Sequence, residues 1–158
     1  MSQDLPIPAL EELGFLVGSW EMTLSHAAFL PGPGQTAIGR AEFEPIEGGT
    51  LVAMRQFVEP SGPPAARWVI GGDDCRAEYT ALYTDARGVS RVYQMSLDEG
   101  LWKVWRNDPA FSQRFEARIA EDRMSMSGTW ERRSAGGGWE HDFDVDFVRL
   151  ETGGTPTP

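Results

Sequence analysis

The chain has 158 residues, of which 41% are apolar and 24% charged, and a formal net charge of −10. That is enough for one domain and too little for two, and apolar enough to fold rather than stay disordered. The acidic balance argues against nucleic acid and anionic membrane as partners, because both recruit basic surfaces, and no run approaches the roughly 18 apolar residues of a membrane span.

The first residues, MSQDLPIPALEEL, carry no basic stretch before an apolar core, so no secretory signal is expected and a cytoplasmic location is. Cys75 is the only cysteine, which excludes an intrachain disulfide and a thiolate metal cluster. The segment Pro8–Val17 is the one candidate helix, with Leu10, Leu13 and Phe15 on a weak apolar side. After it the pattern changes to short alternating runs, and strands are predicted over 18–26, 36–45, 50–58, 66–71, 76–84, 89–97, 101–106, 111–119, 123–132 and 138–150. Turn signals separate them: Pro31-Gly32-Pro33-Gly34, Glu47-Gly48-Gly49, Pro60-Ser61-Gly62-Pro63, Asp85-Ala86-Arg87-Gly88, Asp98-Glu99-Gly100 and Gly136-Gly137-Gly138. No connection is long enough for a crossover helix, so the sheet is expected to be antiparallel. The fold class is all-β: about ten strands closing into an up-and-down barrel, with a short N-terminal helix. Residues 1–150 form its single domain, and the polar tail 151–158 is expected to fray.

Strand phase assigns faces. In the last strand Trp139, His141, Phe143, Val145, Phe147 and Arg149 share the side expected to point inward, and Glu140, Asp142, Asp144 and Asp146 share the other. Trp20, Met22, Leu24 and His26 are in phase in the first strand. Ala37, Gly39, Ala41 and Phe43 are in phase in the second, small enough to leave room for a cavity.

Gly18-Ser19-Trp20 opens the first strand after the helical segment, and Arg149 closes the last. This pair resembles the calycin signature of lipocalin-type barrels. The resemblance implies that the arginine packs across the tryptophan and closes the barrel base. Leu13-Gly14-Phe15-Leu16-Val17-Gly18-Ser19-Trp20 and Gly48-Gly49-Thr50-Leu51-Val52 are similar to a family of small bacterial barrels known as DUF1579. The order of elements is similar to nitrobindin-type haem barrels and, more distantly, to fatty-acid-binding proteins. The resemblance covers most of residues 10–150 and implies the fold, and by analogy a pocket for a hydrophobic ligand.

Several residues could carry chemistry. In nitrobindin-like barrels a histidine in a comparable region of the last strand is the proximal haem ligand, which the resemblance would carry to His141. Asp142 and the eight-residue spacing to Arg149 depart from that pattern, and the other reading is a hydrogen-bonded histidine at the barrel mouth. His26 reads as a rim residue. Two distant histidines are too few for a zinc site, so no metal is expected. Asp142, Asp144 and Asp146 mimic a calcium motif. On a strand, however, i and i+2 carboxylates stand roughly 7 Å apart and parallel, and Phe147 replaces the required glycine, so a solvated outer face is expected.

Arg106 is in phase with Trp102 and Val104. It either points inward, where it needs an acid, a carbonyl or a bound anion, or lies in water with Leu101 and Trp105 inward. Fatty-acid-binding barrels hold a carboxylate with interior arginine and tyrosine, and the inward reading is comparable. Gln113, in phase with Phe111 and Phe115, would orient a ligand or satisfy Arg106. Tyr79 and Tyr83 share one face of their strand, and Arg91, Tyr93 and Met95 one face of the next. Tyr79 and Tyr93 are either pocket hydroxyls or strand aromatics with hydroxyls in water, depending on the register of the loop between them. No serine lies in a nucleophile elbow, and Asp73 and Asp74 disfavour a Cys75 thiolate.

The function expected is binding of a small hydrophobic or amphipathic molecule, neutral or anionic, in the barrel interior, through Arg106, Gln113, His141, Tyr79 and Tyr93. One alternative is an enzyme using the same pocket, with His141, Tyr93 or Arg106 acting on the substrate. The other is a haem protein through His141. A homodimer stays open.

Overall fold

The computed structural model describes residues 8–150 other than 29, 31, 33, 59–63 and 74. The expected tail 151–158, the Pro60–Pro63 turn and the side chain of Leu10 lie outside the described residues. The predicted N-terminal helix divides into α1 (Pro8–Leu13) and a 3-10 turn (Gly14–Leu16). The turn closes through Val17 N–H donating to the Gly14 carbonyl at 3.1 Å. Leu13 and Leu16 are fully buried, and α1 packs on β3 and β4, defined next.

Ten strands follow: β1 (Gly18–Ser25), β2 (Thr36–Ile46), β3 (Leu51–Phe57), β4 (Ala66–Asp73), β5 (Arg76–Asp85), β6 (Ser90–Asp98), β7 (Leu101–Arg106), β8 (Phe111–Ile119), β9 (Ser125–Ser134) and β10 (Glu140–Arg149). Each pairs antiparallel with the next, and β1 pairs with β10 to close the barrel. Closure leaves no strand edge unpaired. Among the described residues no helix is long and apolar enough to cross a membrane.

Closure is specified at one end by the pair that opens β1 and ends β10. Trp20 stands opposite Arg149 in the register and is fully buried. The Arg149 guanidinium carbon lies 4.2 Å from the centroid of the indole. Its Nη1 donates to the Val17 carbonyl at 3.1 Å and its Nη2 to the Phe15 carbonyl, while Trp20 Nε1 donates to the Leu16 carbonyl at 2.9 Å. Three successive carbonyls of the N-terminal turn are thus tied to the first and last strands. Gly18 sits at φ +129°, where side chains are rarely accommodated, and a Cβ there would stand 3.1 Å from Arg149 Nη1. The Gly-x-Trp spacing therefore has a local cause: the glycine makes room for the arginine that covers the tryptophan.

β10 departs from the predicted phase. His141 pairs with Glu131 of β9, but Phe143 pairs with Trp130, so Asp142 is an extra residue on the β10 side. Such a bulge reverses the faces on either side of it. Phe143, Val145 and Phe147 point inward as expected. His141 is on the outer face with its side chain 46% exposed. Trp139 is also outside, under the guanidinium groups of Arg114 and Arg133, whose carbons lie 4.0 and 4.8 Å from its ring centroid.

Candidate functional site

Trp20, Arg149 and α1 close one end of the barrel, and strand directions place the other end at Ser25, Phe57, Ala66, Asp85, Arg106 and Phe111. A cavity of about 290 Å³ enters the barrel there. Its apolar wall comes from β1, β9 and β10, with Met22, Leu24, Trp130, Phe143, Val145 and Phe147. Its polar wall comes from β3, β5, the β5–β6 turn, β6 and β8, with Gln56, Tyr83, Arg87, Arg91, Tyr93 and Gln113. Trp68 of β4 lies between the two, with ring centroids 4.9 Å from Tyr83 and 5.0 Å from Tyr93. A second chamber of about 30 Å³ adjoins it more deeply, sharing Gln56, Trp68, Trp130 and Phe147 as walls. A larger groove of about 1030 Å³ runs outside, past Lys103, Trp105, Arg114, Glu131 and Asp144. It is open to solvent along its length, and most of its lining side chains are charged or polar, with Leu101, Trp105 and Phe115 among them.

The register that strand phase left open is resolved by pairing. Tyr79 stands opposite Met95, Ala81 opposite Tyr93, and Tyr83 opposite Arg91, and all six are on the inner face. Tyr93 donates its hydroxyl to Gln113 Oε1 across the cavity wall. Gln56 accepts from Trp68 Nε1 at 3.2 Å and points its amide nitrogen to Met22 Sδ at 3.8 Å. Asp85 organises the turn between β5 and β6. It accepts from the Tyr83 hydroxyl at 2.7 Å, from the Arg87 guanidinium at 2.6 Å, and from the backbone N–H groups of Arg87 and Val89 at 2.9 and 3.3 Å. The Arg87 bond, with these others, holds the Asp85 carboxyl well below the usual carboxylate range. Burial, and then the bond to Asp85, pushes the Tyr83 hydroxyl up to about 12. Burial also raises Tyr93, against the opposing effect of Arg91 and Arg106.

The arginines at this end differ in what they are bound to. Arg106 points inward beside Gln113, its cross-strand partner, and its side chain is only 18% exposed. Its Nε donates to the Phe111 carbonyl at 3.1 Å and Nη2 lies 3.7 Å from Asp108. Arg106 is therefore satisfied by its own hairpin and does not line the cavity. Arg87 is committed to Asp85. Arg91 does line the cavity, with its guanidinium carbon 5.1 Å from the Phe111 ring centroid. Among the described residues no carboxylate lies within 4 Å of Arg91. Strand phase had aligned Arg91 with Tyr93 and Met95 without singling it out; the missing information was which arginine the turns already neutralise.

The other predicted site residues are dispersed. Tyr79 is buried at the closed end, where its hydroxyl donates to Glu12 of α1; it lies outside the cavity because β5 runs from the closed end to the open one. His141 is outside through the β10 bulge. Both histidines converge there on one carboxylate: His26 Nδ1 lies 2.8 Å from Asp144 Oδ2, and His141 Nε2 3.0 Å from Asp144 Oδ1, which also accepts from the Thr129 hydroxyl at 2.8 Å. Burial raises the Asp144 carboxyl, but these hydrogen bonds outweigh it and hold the group below its ordinary value. Among the described residues no group of three or more His, Cys, Asp or Glu side chains is placed to hold a metal. Haem does not fit the residues present, because neither histidine faces the interior and no imidazole is offered to an iron inside the barrel.

No family model and no curated protein matches the chain. Among solved structures it is similar to Rv2717c from M. tuberculosis, with 14% identity and a TM-score of 0.59 over 91% of this chain and 98% of that one. At that identity the likeness shows the fold, a small closed β-barrel, and it spans nearly the whole of both chains.

Proposed function

We propose that the barrel binds one small amphipathic molecule, apolar in its body and anionic at one end, in the cavity at its open end. The observation that carries this reading is Arg91: a cation in the wall of an apolar cavity, without a carboxylate partner among the described residues, in a chain of net charge −10. Even a half-buried cation gains from a counter-ion, and a ligand carboxylate would supply a charge-assisted hydrogen bond to it. The cavity lies at the lower bound of the roughly 300–1,000 Å³ of small-molecule sites, so the ligand is short. Tyr83 and Tyr93 stay protonated far above neutral pH, which favours binding over acid–base catalysis at this site. The Gly18–Trp20–Arg149 closure supports kinship with calycin barrels, and the Leu13–Trp20 and Gly48–Val52 stretches support a likeness to the DUF1579-type proteins. We place the protein in the cytoplasm.

The test is selectivity between octanoate and octanol. Arg91→Leu is expected to weaken octanoate by about 10- to 100-fold relative to octanol, a charge-assisted bond contributing roughly 1.5–3 kcal/mol. Arg106→Leu is expected to leave that ratio near its wild-type value. Equal losses for both probes in Arg91→Leu would remove the anion from the proposal.

A further inference from the structure

Trp102 projects from β7 into the middle of the barrel and is 4% exposed. Phe43, Phe115 and Phe147 hold its ring, with centroids 6.2, 5.1 and 5.7 Å away. Its Nε1–H is fully buried and has no acceptor among the described residues. Buried indoles normally find one. The two others that are less than a tenth exposed do so: Trp20 with the Leu16 carbonyl and Trp68 with Gln56.

The unfilled space against Trp102 is the deeper chamber of about 30 Å³. It is large enough for one water-sized group, but a buried water needs two to four polar partners. Met54, Ile70, Met95 and Val104 make the wall apolar, and the Gln56 oxygen already accepts from Trp68. Trp102 is one wall of this chamber and its N–H is closed off by the packing around it, so a single acceptor atom carried in on an apolar body would meet the donor as that wall gives. The chamber adjoins the ligand cavity through Gln56, Trp68, Trp130 and Phe147, so a molecule whose anion meets Arg91 would direct its other end here.

We propose that the Trp102 indole N–H is the deep anchor of the site, and that the ligand carries a neutral hydrogen-bond acceptor, such as a ketone or ester oxygen, at its buried end. This inference rests on the reading of the cavity as an amphipath site and narrows its ligand from simple alkanoates to oxygenated acids. A simple alkanoate would leave the indole donor unpaired; a terminal methyl ketone would satisfy it.

The experiment compares straight-chain alkanoates with methyl-ketone acids of the same chain length, over a ladder of lengths, by calorimetry on the intact protein. At the best length the keto acid is expected to bind about tenfold more tightly, and Trp102→Phe to bring the ratio of the two affinities, measured in the same variant, to about one. In the wild-type protein the Trp102 indole amide resonance is expected to move downfield with the keto acid and to move little with the alkanoate. This second readout needs no variant, so it stands if Trp102→Phe fails to fold. Equal affinities at every length, a preference that survives Trp102→Phe, or an indole resonance that ignores the ketone would each overturn the inference and leave the cavity reading in place. Binding of neither class would overturn both.

Discussion

Removing Arg149 probes the closure on which the whole barrel depends. In Arg149→Ala the indole of Trp20 loses the guanidinium 4.2 Å above it, and the Val17 and Phe15 carbonyls lose their donors. A desolvated cation–π contact contributes about 2 kcal/mol, and each charge-assisted hydrogen bond roughly 1.5–3 kcal/mol. The carbonyls can recruit water at this half-exposed site, so the contributions do not add fully, and a net loss of about 3 kcal/mol is expected. For a chain of this size that is a fall of roughly 6–12 °C in Tm. Urea unfolding followed by tryptophan fluorescence measures the free energy directly. A double-mutant cycle with Trp20→Phe isolates the stacked pair, with a coupling of at least about 0.5 kcal/mol expected. Arg149→Lys should recover only part of the loss, because an ammonium cannot serve two carbonyls and the ring face together. A loss under about 0.5 kcal/mol in Arg149→Ala, within the range of an ordinary surface substitution, would refute the clamp, as would strict additivity in the cycle.

Asp85 has a depressed carboxyl, so its contribution is present above the unfolded value near 3.9 and is lost as pH falls through the folded one. The difference in urea midpoint between wild type and Asp85→Ala should therefore be constant from neutral pH down to about pH 5 and shrink below about pH 4; a gap that persists unchanged into acid would contradict the hydrogen-bonded carboxylate. Ferric haem titrated into the protein should give no saturable complex with a histidine-ligated spectrum, and His141→Ala should titrate like the wild type; a stoichiometric complex lost in that variant would place His141 inside. At Gly128 a Cβ would stand 2.7 Å from the Phe115 ring and 2.8 Å from the Ala117 methyl, so Gly128→Ala should destabilise by roughly 1–3 kcal/mol through overpacking, as read from thermal unfolding.

The barrel itself was legible because its signal is repeated. Ten alternating runs between turn residues leave few arrangements, and the observed strand ends differ from the predicted ones by two residues at most. The site was less so, since it depends on events at single residues. One extra residue at Asp142 is invisible to alternation, yet it carries His141 and Trp139 from the interior to the surface. Phase did align Tyr79 with Tyr83, but strand direction puts one under α1 and the other at the cavity. Arg106 and Arg91 both lie on inward phases. What separates them is a turn geometry that lets the Phe111 carbonyl and Asp108 neutralise Arg106, and no pattern of residue types in the sequence encodes that distance. The orphaned Trp102 N–H is likewise a property of three-dimensional neighbours alone.

The central claim is that an anionic amphipath enters the barrel beside Trp68 and Trp130, and quenching by a bromine-tagged alkanoate tests it most directly. Titration should give saturable, one-to-one quenching of tryptophan fluorescence that unlabelled octanoate reverses, and Trp68→Phe and Trp130→Phe together should remove most of it. Quenching that rises linearly without saturation, or a saturable signal that survives the loss of both tryptophans, would show that the molecule does not bind in this cavity.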